Sequence, residues 1–117
     1  MDIADALASL SALAHEGRLS VFRLLVKTGP DGMAAGNIAK KLQTAPNTLS
    51  AQLLVLSNAG LIQARREGRS IIYAADFEQM SELLQFLTKD CCAGRPEICT
   101  PLAETVNACC PPKKRRA

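Results

Sequence analysis

Tryptophan is absent, and the aromatic residues amount to three Phe and one Tyr in 117 residues. A module that stacks unpaired bases needs a platform of such rings, so RNA-recognition and single-strand-binding functions are disfavoured. Histidine is scarce too: His15 is the only one, which leaves no Ser/His/Asp set to assemble. There is no phosphate-cradling glycine loop and no Cys-x-x-Cys dithiol, so no enzyme class finds its machinery here. No apolar run approaches the ~18 residues of a membrane span. The start, Met1-Asp2-Ile3-Ala4-Asp5, lacks the positive segment that opens an export signal. We therefore expect a cytoplasmic protein without membrane contact.

A strong charge of either sign is missing as well. Fourteen Lys+Arg against eleven Asp+Glu give +3, a balance that permits nucleic-acid binding without arguing for it alone. A domain of this size buries only about two thirds of its unfolded surface, so an oligomeric interface would help its stability. What the chain does have is cysteine, all of it in the last quarter: Cys91, Cys92, Cys99, Cys109 and Cys110. Five cannot all pair, and adjacent cysteines bridge each other only under strain. In a reducing compartment such thiols are ligands for a soft ion.

Periodicity divides the rest. Ile3, Leu7, Leu10 and Ala14 share one face of a first helix, with Leu13 widening the stripe. A second helix is expected after Gly17, carrying Leu19, Phe22, Leu25 and Val26 inward until Gly29-Pro30-Asp31-Gly32 stops it. A short helix from about Ala34 to Leu42 turns Ile38, Ala39 and Leu42 inward and Lys40 and Lys41 outward. After Gln43-Thr44-Ala45-Pro46, with Thr44 as the expected N-cap, a further helix runs to about Ser57 on Leu49, Leu53 and Leu56. Two helices joined by so short a turn form a helix-turn-helix, whose second member offers its N-terminal side chains to a major groove. Asn47, Thr48, Ser50 and Gln52 lie there, and hydroxyls and amides can read base edges.

Leu61–Arg66 and Arg69–Tyr73 read as two strands around the turn Glu67-Gly68, a β-hairpin with Arg65, Arg66 and Arg69 at its end. These are either a solvated tip or a wing that grips phosphates. A last helix from Asp76 to about Asp90 bears Phe77, Met80, Leu83, Leu84 and Leu87, a stripe too apolar for a free surface helix, which points to a partner.

The ordered set His15-Glu16-Gly17-Arg18-Leu19, Ile38-Ala39-Lys40-Lys41-Leu42, Thr48-Leu49-Ser50, Ala59-Gly60-Leu61 and Arg66-Glu67-Gly68-Arg69 resembles the ArsR/SmtB family of winged-helix repressors. The resemblance covers residues 1 to about 90. It implies a mainly α fold with a β-hairpin, a dimeric winged helix-turn-helix. The implied homodimer is built on the first and last helices, binds double-stranded operator DNA and leaves it when a metal or metalloid binds. Residues 1–90 would then be the DNA-binding and dimerisation domain, and residues 91–117 an inducer-binding segment with a basic tail, Lys113-Lys114-Arg115-Arg116.

Cys91-Cys92-Ala93-Gly94-Arg95-Pro96-Glu97-Ile98-Cys99 resembles the subset of arsenic repressors that hold arsenite on three cysteines after the dimer helix. Donor chemistry points the same way: trivalent arsenic or antimony takes three thiolates in a pyramid and needs no histidine. Cys91, Cys92 and Cys99 supply three, with Gly94 and Pro96 letting the segment turn back. Zinc would have to borrow Cys109 or Cys110 to reach four ligands, and cadmium or lead would also suit soft thiolates. No organic cofactor is implied. The alternatives are a cadmium, lead or zinc repressor, and, from another class, a thiol redox switch or metal-sequestering protein.

Overall fold

The computed structural model describes residues 1–88. Cys91, Cys92, Cys99, Cys109, Cys110 and the basic tail lie outside the described residues.

The chain opens with α1 (Ile3–Leu13), whose first turn is capped by Asp2 accepting from the Asp5 N–H at 2.9 Å. α2 follows as Glu16–Thr28. Gly17 is therefore inside the helix and not before it, because His15 is the cap: its Nδ1 accepts from the N–H groups of Gly17 (3.1 Å) and Arg18 (3.4 Å). Arg18 completes the corner from the other side, its Nε donating to the Ala12 carbonyl at 2.7 Å and its Nη2 to Ser11 at 3.4 Å. A cation on the last carbonyls of α1 complements that helix's negative end. The His-Glu-Gly-Arg run thus fixes the angle between two helices with side chains from a four-residue segment.

β1 (Met33–Ala34), α3 (Ala35–Leu42) and α4 (Pro46–Asn58) come next, then β2 (Ile62–Glu67), β3 (Ser70–Ala75) and α5 (Phe77–Thr88). The hairpin turn falls on Gly68-Arg69, one residue later than periodicity indicates, with Glu67 paired to Ser70, and β3 runs two residues past Tyr73 to pair Ala75 with Ile62. The hairpin also gains a third, antiparallel strand, since β1 pairs with β3 through Met33 with Tyr73 and Ala34 with Ile72. Gly32, at φ +77°, makes that docking close: a Cβ there would come within 2.5 Å of the Tyr73 carbonyl oxygen.

Val21, Phe22, Leu25, Ile38, Leu49, Leu53, Leu56, Leu61, Ile62 and Ala75 form the core, with Phe77 and Met80 of α5 packed against it. One inward assignment changes. On α2 it is Val21 that is fully buried while Leu19 is exposed. On α1 the buried residues are the small ones, Ala6, Ser9 and Ala12, and the large apolar stripe Ile3, Leu7 and Leu10 faces outward. Small residues let α1 approach its own core closely, which leaves the leucines for something else.

Candidate nucleic-acid interface

The turn between α3 and α4 places the recognition helix. Gln43 closes α3 in the left-handed conformation (φ 53°, ψ 47°). The Thr44 hydroxyl donates to the Leu42 carbonyl at 3.3 Å, so Thr44 is not the N-cap of α4. That position belongs to Ala45, with Pro46 in the first turn and no side-chain cap. The leading N–H groups of α4 are left to solvent or to a phosphate.

Asn47, Thr48 and Ser50 are exposed at the start of α4, as base-reading side chains must be. Gln52 is not. It is 9% exposed, its Oε1 has no hydrogen-bond partner among the described residues, and its amide lies over Gly17, where a Cβ would overlap Nε2 and sit 3.1 Å from Cδ. Gln52 therefore leaves the set of base-reading candidates: it packs α4 against the start of α2. The helical spacing carried that signal, since Gln52 is i+3 from Leu49 and i−4 from Leu56, squarely in the inward stripe.

The hairpin arginines divide similarly. Arg65 is tied down, its Nε 2.7 Å from Glu67 Oε2 and its Nη2 donating to the Asp31 carbonyl at 2.6 Å. It braces the wing against the loop after α2. At the hairpin's inner end, Gln63 Nε2 donates to Asp76 Oδ2 at 2.8 Å while Asp76 Oδ1 caps α5 at the Gln79 N–H. Arg66 points to the opposite face from Gln63, Arg65 and Glu67, because strand residues alternate. Arg66 and Arg69 are exposed and carry no ion pair among the described residues. With Lys40 and Lys41 exposed in the last turn of α3, they supply the positive charge that α4 entirely lacks, since Pro46–Asn58 contains no charged residue.

Comparison with known proteins matches this arrangement. Residues 13–63 match the family model described as a helix-turn-helix domain. The chain is 35% identical over 90 residues to the biofilm growth-associated repressor of Agrobacterium fabrum, covering 76% of this chain and 74% of that one. It is 30% identical to a homodimeric winged helix-turn-helix DNA-binding domain of Mycobacterium bovis, titled as a possible ArsR-family transcriptional regulator. That structural likeness covers 75% of this chain and 82% of the other, at a TM-score of 0.60. The chain belongs to the ArsR family. An uncharacterized HTH-type transcriptional regulator of Mycobacterium tuberculosis is 34% identical over 77 residues, 66% of each chain, so the match spans just under two thirds of that relative.

ArsR-family relatives are named transcriptional regulators, a DNA-binding and non-enzymatic class. The winged helix-turn-helix of this ArsR-family chain is α3–α4 with the β2–β3 wing. Among the described residues no three His, Cys, Asp or Glu side chains are grouped to hold a metal ion. The site expected at Cys91, Cys92 and Cys99 lies outside them. No described helix is long and apolar enough to cross a membrane.

Proposed function

We propose that this ArsR-family regulator is a homodimeric repressor that binds operator DNA through α4 and the wing and is released by trivalent arsenic or antimony. The observation that carries the DNA-binding part is the exposed polar start of α4 beside a wing whose Arg66 and Arg69 are unpaired among the described residues. Such a surface divides labour in the usual way, with phosphate contacts positioning the protein and base contacts specifying the site. The dimer reading rests on the apolar residues that the fold leaves outside: Ile3, Leu7 and Leu10 on α1, and Leu84 and Leu87 on α5. Single exposed leucines are ordinary, but stripes on the first and last helices favour a second copy.

The inducer reading rests on the cysteines and their chemistry. Three thiolates from Cys91, Cys92 and Cys99 satisfy a pyramidal arsenic or antimony centre, and Cys91 follows the end of α5 by three residues. Bound there, the ion acts on DNA binding by favouring a dimer arrangement in which the two recognition helices no longer suit the operator.

One titration tests both parts. The reduced full-length protein is bound to an operator duplex and titrated with arsenite, antimonite, cadmium and zinc, and in parallel with the thiol oxidant diamide. Release by arsenite and antimonite at lower concentration than by the divalent ions supports the proposal. Release by cadmium or zinc first identifies a divalent-metal repressor, and thiol oxidation as the sole effective trigger identifies a redox switch.

A further inference from the structure

α4 exposes apolar side chains along with its polar ones. Leu54 is 61% exposed and Val55 37%, and Ala51 is exposed too. At about 100° per residue, Asn47, Ala51 and Leu54 run down the centre of the outer surface as i, i+4 and i+7, opposite Leu49, Gln52, Leu53 and Leu56. Thr48 and Val55 flank this line on one side and Ser50 on the other. Alanine and leucine at its centre can do nothing for phosphates, and no charge on the helix competes for them.

In the major groove, the apolar group that distinguishes a base is the C5 methyl of thymine, and alanine and other apolar side chains are its natural contacts. The seven steps from Asn47 to Leu54 rise about 10.5 Å, close to three base-pair steps of roughly 3.4 Å. One line of side chains can thus meet consecutive base pairs, polar at its start and apolar beyond. We propose that Ala51 and Leu54 are specificity-determining residues that read thymine methyl groups in the half-site. This rests on the placement of α4 in the major groove proposed above. The surface continues directly from Asn47, Thr48 and Ser50, whereas the apolar stripe Ile3, Leu7 and Leu10 that suits a second copy lies on another helix.

The test starts from duplexes selected out of a random pool by the reduced full-length protein. Each thymine of a selected half-site is replaced in turn by deoxyuridine, which deletes the methyl and leaves every hydrogen-bonding group. At one or two adjacent thymines the replacement is expected to weaken binding about fourfold, the effect of one buried methyl. Leu54→Ala, a change that preserves helix propensity at an exposed site, should weaken binding to the unmodified duplex and abolish the response at one of these thymines. Arg66→Ala should weaken binding while leaving the response intact. Tight binding that is indifferent to deoxyuridine at every half-site position would overturn the inference while leaving the DNA-binding reading in place. So would a Leu54→Ala variant whose sedimentation shows a lost dimer, because a second copy would then cover this face. Failure to select any duplex would take down both readings.

Discussion

Gly17→Ala probes the contact that seats the recognition helix. In an ordinary helix the substitution stabilises by about 0.5–1 kcal/mol, because glycine loses more backbone freedom on folding. Here the new methyl would overlap Gln52 Nε2 and approach His15 Cε1 to 3.3 Å. Gln52 is 9% exposed, so its amide has little room to retreat, and overpacking of this kind costs about 1–3 kcal/mol. The net expectation is a loss of about 0.5–2 kcal/mol, opposite in sign to the intrinsic preference. Gln52→Ala removes the obstacle, so Gly17→Ala in that background should recover its ordinary gain. The double-mutant cycle should show about 1–3 kcal/mol of coupling in favour of the pair, within the range for residues in contact. Urea denaturation of the four proteins at fixed concentration measures it. Effects that add to within about 0.5 kcal/mol would refute the contact and with it the view that Gln52 is a packing residue.

Other expectations address the proposed function. Asn47→Ala should cost about 1–3 kcal/mol on the operator and relax the base preference at one position, whereas Arg66→Ala should weaken binding to all sequences and reduce the salt slope by about one. Arg65→Ala, whose side chain braces the wing through Glu67 and Asp31, should change the salt slope less than Arg66→Ala does; an equal change would place both in phosphate contact. Cys91→Ser, Cys92→Ser or Cys99→Ser should each keep DNA binding and lose release by arsenite, since a hydroxyl cannot replace a soft thiolate, and X-ray absorption showing four sulfurs or any nitrogen would count against the three-thiolate centre. Linkage requires the operator to weaken arsenite binding by the factor by which arsenite weakens operator binding, about 5–150-fold for a coupling of ~1–3 kcal/mol; identical arsenite affinities with and without operator would make the cysteines a sequestering site.

The order and kind of the main elements followed from residue pattern alone. Leu49, Leu53 and Leu56 at helical spacing, the Gly29–Gly32 stop and the hairpin are local signals that local chemistry decides, although the turn itself falls on Gly68-Arg69, one residue past Glu67-Gly68. The His15 cap is a local contact too, because its Nδ1 reaches only the N–H groups two and three residues on. The tertiary structure decided what depends on partners distant in the chain. Arg65 is held by a carbonyl 34 residues away, and a two-residue strand such as Met33–Ala34 has no period to detect until Tyr73 and Ile72 lie beside it. Gln52 is buried because the glycine that admits it sits on another helix. Which face of α1 turns inward could not follow from hydrophobicity, since close packing selected Ala6, Ser9 and Ala12 and left the larger Ile3, Leu7 and Leu10 outside. Periodicity shows that a helix has an apolar stripe; only the shape of the surface it meets determines whether that stripe is buried in its own core.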